Sequence, residues 1–99
     1  MTVSAYVTDL MDRSRFPKGT TFVRRGDTLD PAADVVVVDL SRPDALEAVA
    51  AVRALGSAAR IVAYGSHVER DLLAAARAAG CDRVLARSAF FADVDAALA

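Results

Sequence analysis

The 99-residue sequence predicts a doubly wound α/β fold, with a five-stranded parallel sheet in the order 2-1-3-4-5 and helices on both faces. The strongest sign is DVVVVD at residues 34–39, where four β-branched apolar residues in a row leave no polar face. Strands buried on both sides have this composition, and in α/β proteins they lie centrally among parallel neighbours. The second sign is the alternation of strand and helix from residue 34 onward, which requires right-handed crossovers between parallel strands.

Residues 3–8, VSAYVT, form the first expected strand, closing on Asp9. Between Asp9 and Gly19 there is room for about two helical turns ending before Pro17, because the residue before a proline disfavours helix. The second strand is expected at residues 20–25, TTFVRR, bounded by Gly19 and Gly26. The following GDTLDPAA allows a single turn of helix. Both connections are short for parallel crossovers, so helices 1 and 2 are expected to be trimmed.

After the third strand, Ser41 is placed to cap a helix whose first turn holds Pro43 and Asp44. Ala45, Leu46, Val49 and Val52 form its apolar stripe, and Gly56 ends it. RIVAY at residues 60–64 is the fourth strand. Val68, Leu72, Ala75, Ala76 and Ala79 lie at helical spacing and stop at Gly80. RVLA at residues 83–86 is the fifth strand, and Phe91, Val94 and Leu98 mark a last helix.

Hydrophobic residues make up 55% of the chain and charged residues 25%, a globular composition that excludes a disordered chain. Twelve basic against thirteen acidic residues give no global attraction to nucleic acid or to an anionic membrane. The early basic cluster of Arg13, Arg15, Lys18, Arg24 and Arg25 is expected to be a solvated edge. Cys81 is the only cysteine, which excludes an internal disulfide and a cysteine-based zinc site. The N-terminus has no signal-peptide pattern, and no apolar run approaches the length of a membrane span. The expectation is therefore one cytoplasmic domain over residues 1–99, with no separate output domain.

In an open doubly wound sheet, ligands sit beyond the carboxyl ends of the strands where strand order switches, here between the first and third. That rim collects Asp9, Asp39, Gly65, Ser66, His67, Arg87 and Ser88. Asp9 and Asp39 could hold a divalent cation such as Mg²⁺ weakly, since oxygen ligands suit it. Ser66, His67, Arg87 and Ser88 could hold an anion. Plainer roles exist for each. Asp9 could cap a short helix with Asp12 in its first turn, and Asp39 could cap the loop after its strand. His67 could be a solvated loop residue or a proton-linked group, and Arg87 could pair with Asp39. Phe90 and Phe91 suit the core, with one of the two exposed because consecutive residues do not share a helix face.

DLSRP, Asp39–Pro43, places a proline four residues after an aspartate at a strand end, and AAARAAGCDRVLARS joins an alanine-rich helix to a short strand. With these segments the sequence resembles a response-regulator receiver domain, over residues 3 to 98 and most strongly from 34 to 90. The resemblance implies a CheY-like, flavodoxin-like three-layer sandwich with Asp39 as the phosphoacceptor. Receivers close their first strand on two acids, where Thr8 and Asp9 supply one. They end the fourth strand on threonine or serine, where Gly65 stands with Ser66 one place late. They end the fifth on lysine-proline, where Arg87 and Ser88 stand.

With those departures, the resemblance implies an atypical, pseudo-receiver signalling module in which aspartate phosphorylation is weak or absent and Mg²⁺ is the one cofactor to consider. It would act through a protein partner or self-association, on the face made by the alanine-rich helix, the fifth strand and the last helix. An alternative is a small-ligand or anion-binding domain on the same scaffold, contacting its ligand through Asp39, His67 and Arg87. No catalytic residue is expected: the chain has no glycine-rich phosphate loop, no nucleophile–base motif and a single histidine.

Overall fold

Five strands form one parallel sheet in the computed structural model, which describes residues 1–99. They are β1 (Val3–Tyr6), β2 (Thr21–Phe22), β3 (Val35–Asp39), β4 (Arg60–Gly65) and β5 (Arg83–Ala86), in the order β2-β1-β3-β4-β5. Fold class and strand order are as the sequence predicts. Every pairing is parallel, and the register sets Asp39 opposite Tyr64 and Gly65 opposite Ala86.

The pleat divides the continuous valine run between two cores. Val36, Val38, Ile61 and Ala63 point to the layer of α2 (Ala45–Ala54) and α3 (Arg70–Ala79). Val35, Val37, Val62 and Tyr64 point to the opposite layer, with Phe90, Phe91 and Leu98 from α4 (Arg87–Ala92) and α5 (Val94–Leu98). A strand with helices over both faces has no position for a polar side chain, which is why β3 turns polar only at its last residue. α1 (Leu10–Arg13) is a single turn, and a 3-10 turn at Gly26–Thr28 stands where the second crossover helix would be.

Several boundaries differ from expectation. β1 stops at Tyr6 and β2 keeps two paired residues, extended only by a bond from the Val23 N–H to the Ala5 carbonyl (2.9 Å). Ser41 does not cap α2, which begins at Ala45 after a turn. Asp44 stands at the cap, but its carboxylate accepts from the Tyr6 hydroxyl (2.6 Å) rather than from a helix N–H. α3 begins at Arg70, leaving Val68 exposed in the preceding turn. The last helix is broken at Asp93, whose side chain caps α5 through the Ala96 N–H (3.1 Å). Gly80 ends α3 at φ 120°, a left-handed conformation that favours glycine.

The basic cluster is partly structural. Arg13 donates to the Val7 carbonyl (2.7 Å) and Arg15 to the Phe91 carbonyl (2.8 Å), while Arg25 and Asp27 form an exposed pair. No helix is long and apolar enough to cross a membrane.

Candidate functional site

Asp39 is buried at the end of β3, on the same side of the sheet as Tyr64. Its Oδ1 accepts from the Ser41 N–H (2.9 Å), and the Arg42 N–H bonds back to the Asp39 carbonyl (3.2 Å). The carboxylate thus closes the turn that takes the chain out of the core, which satisfies an N–H freed where the ladder ends. Its Oδ2 accepts no hydrogen bond from the protein.

A second carboxylate, Asp12, dominates the electrostatics beside it. Asp9 caps α1, its Oδ1 accepting from the Met11 (2.9 Å) and Asp12 (3.0 Å) N–H groups. That cap orients the turn so that Asp12 faces inward with its side chain 4% exposed. Both Asp12 oxygens accept from Arg87, Oδ2 from Nη1 at 2.7 Å and Oδ1 from Nη2. The Tyr64 hydroxyl donates to Oδ2 at 3.3 Å.

This pair joins the end of β5 to the connection after β1. Since β3 and β4 lie between those strands, it straps the sheet across the ends of both. The bidentate fork holds the Asp12 carboxyl below the usual carboxylate range, against the opposing effect of burial. Burial first, then the charges of Asp39 and Asp12, push the Tyr64 phenol well above its ordinary value. The bond to Asp12 does the same for the Arg87 guanidinium. Arg87 also lies over the Phe91 ring, 4.9 Å from its centroid, and Tyr64 stacks on Phe90 at 4.6 Å.

Neither a family model nor a curated protein matches the sequence. Solved structures do match the fold. A response regulator from Burkholderia pseudomallei, whose structure holds a phosphorylated aspartic acid, a calcium ion and citrate, aligns with a TM-score of 0.70 at 17% identity, over 99% of this chain and 65% of that one. A response regulator from Thermotoga maritima aligns with a TM-score of 0.64 at 14% identity, over 98% of this chain and 96% of that one. The chain has the fold of a response-regulator receiver domain. It spans about 65% of the length of the Burkholderia protein. At these identities the likeness is one of fold.

Within that receiver fold, the residues expected at the rim separate into different roles. Arg87 pairs with Asp12 rather than with Asp39. Asp9, expected as the second metal ligand, uses its Oδ1 to cap α1. Nowhere do three acidic, histidine or cysteine side chains come together, and both Asp12 oxygens are held by Arg87. These donors do not fit a preformed divalent-cation site. Ser66 and His67 are exposed in the turn before α3 and bond to neither Asp39 nor Arg87, and they do not line the pocket that Arg87 and Ser88 share. Ser88 lies exposed beside Arg87.

A Cβ at Gly65 would meet Leu40 (3.3 Å) and Leu73 (3.4 Å), so a side chain there would point into the α2–α3 layer. The residue beside Asp39 is instead Tyr64. Phe90 and Phe91 are both buried, contrary to the expectation that one is exposed. α4 sits between the sheet and the segment carrying Phe16, which covers Phe91 edge-on at 6.3 Å and Phe90 at 5.6 Å. Sequence reasoning missed Asp12 and Tyr64 as site residues. The available signal was the third position after the Asp9 cap, and the strand register opposite Asp39.

Proposed function

We propose that the chain is a receiver-like signalling module that works by protein–protein contact, with phosphorylation of Asp39 weak or absent and no reaction of its own to catalyse. The observation that carries this reading is the Asp12–Arg87 strap. A carboxylate can accept a phosphoryl group only if cations neutralise the incoming oxygens. Here the Arg87 guanidinium at the rim is already committed to an acid, and that acid is thereby removed as a metal ligand. Asp39 keeps a free oxygen but lacks helpers.

The surface offered to a partner is the edge formed by α3 and β5. β5 is an edge strand, so one side of its backbone is unpaired. Leu85 and Ala86 are half-buried there, and Ala74 and Ala78 on α3 are exposed and small enough for close approach. Both features suit a protein partner or a second copy of the chain.

The test is an NMR titration with about 10 mM Mg²⁺ and beryllofluoride, well above weak Mg²⁺ affinities. The expected result is no saturable shift at Asp39 or Tyr64. A saturable shift centred on Asp39 and lost in Asp39→Asn would overturn the reading in favour of a phosphorylatable receiver.

A further inference from the structure

Arg15, Arg87, Ser88, Phe91 and Ala92 line a pocket of about 310 Å³ on the α4 side of the rim. We infer that this pocket binds a single phosphate group, either inorganic phosphate or the phosphate of a small monoester. The inference goes beyond the partner-contact reading and depends on Arg15, which that reading does not use.

Charge is the first argument. Arg15 and Arg87 both lie over the Phe91 ring, at 4.7 and 4.9 Å from its centroid. Two guanidinium groups gathered on one ring repel unless anions compensate them. Asp12 is paired directly with Arg87 and feels the Arg15 charge only at longer range, so Arg15 has no ion-pair partner of its own. Its one hydrogen bond goes to a neutral acceptor, the Phe91 carbonyl. Asp93, next in the chain after Ala92, is turned away to cap α5. The three charges at the pocket therefore sum to +1, from Arg15 and Arg87 less Asp12.

Donor supply is the second argument. Arg15 Nε and Nη1, Arg87 Nε and the Ser88 hydroxyl make no hydrogen bond within the protein. All three residues line the one small pocket, with Ala92 adding no bulk. Planar guanidinium forks with a hydroxyl match the tetrahedral acceptor set of phosphate, and the ring holds both forks in place. A divalent cation would meet only repulsion there.

The test is a chemical-shift titration of the whole chain with inorganic phosphate and with glycerol 3-phosphate, against chloride at matched ionic strength. Saturable shifts of the Ser88, Phe91 and Ala92 amides and of the Arg15 and Arg87 Nε–H signals are expected, with a dissociation constant on the order of millimolar. Binding of the ester as well as the free ion identifies an open monoester site, and binding of the free ion alone identifies a closed one. Arg15→Gln should abolish saturation, and Ser88→Ala should weaken binding roughly twofold to tenfold, the loss of one hydrogen bond. Asp12→Asn should tighten it by removing the compensating charge. If Arg15→Gln does not fold, Ser88→Ala and Arg15→Lys decide the matter through the same titration. Shifts that stay linear in both probes, or unchanged affinity in the Ser88→Ala and Arg15 variants, would overturn the inference.

Discussion

Replacing Arg87 by alanine isolates the strap across the strand ends. Removing one partner of a fully buried ion pair costs roughly 3–5 kcal/mol, because the other charge is left without compensation. Here the Asp12 side chain is 4% exposed but that of Arg87 is 50% exposed, so solvent already screens half of the interaction. Discounted for that screening, the expected loss is about 2 kcal/mol at pH 7. The sign with pH follows from Asp12. Its folded pKa is lowered, so the stability that it contributes is present above the ordinary carboxylate range and is lost as pH falls through the folded value. In Arg87→Ala the carboxyl keeps burial, the Tyr64 hydroxyl and the weaker effect of the Arg15 charge but loses the fork, which moves its pKa upward and lets it protonate earlier. The gap between wild type and variant should therefore narrow with acid, toward the roughly 0.5–1 kcal/mol of lost stacking on Phe91. Urea unfolding followed by circular dichroism at pH 7 and pH 4 reads this directly, with a midpoint displacement on the order of 1–2 M at pH 7. Arg25→Ala, which breaks the exposed pair with Asp27, should leave the midpoint where it is. A pH-independent gap, or no greater loss for Arg87→Ala than for Arg25→Ala, would refute the reasoning.

Three further outcomes test other parts of the rim and its support. Asp9→Ala should cost about 1 kcal/mol through loss of the α1 cap, and leave the response to Mg²⁺ unchanged; an altered Mg²⁺ titration would restore Asp9 as a metal ligand. In Gly26→Ala the new Cβ would lie 2.8 Å from the Ala48 Cβ and 3.1 Å from both Asp44 Oδ2 and the Tyr6 ring. Overpacking of this kind costs about 1–3 kcal/mol, so an unchanged melting temperature would contradict the close packing of the 3-10 turn on α2. Burial pushes the Cys81 thiol up to about 11, outweighing the lowering effect of Arg53. Native protein at pH 8 should then react with a thiol reagent far more slowly than unfolded protein, and equal rates would contradict the burial.

The sheet was legible because its signal is repeated along the chain. The valine run of β3 and the apolar cores of β1 and β4 all demand cover on two faces, and only a doubly wound parallel sheet provides it at this length. Boundaries were less legible where a polar side chain had a competing partner in space. Asp44 left its helix for the Tyr6 hydroxyl, and the Phe90–Phe91 pair, of which one ring was expected in solvent, was covered by Phe16 from a distant segment. No local pattern contains either fact.

The rim shows the same limit. Asp39 was found because a carboxylate ending an apolar strand is visible in sequence, and its place in the fold follows from the strand order. Arg87 was found for the same reason, but its partner was not. Asp39 is the acid that the strand pattern advertises, whereas Asp12 sits in a short turn and reads as one more polar residue near a helix start. What selects Asp12 is the Asp9 cap. It turns the single-turn helix α1 so that Asp12 meets the Arg87 fork, with Tyr64 below it closing the pair from the sheet. The trimmed crossover that looked like a defect in the first half of the chain is thus what brings the buried acid to the rim, and with it the strap that pairs Arg87 with Asp12 rather than with Asp39.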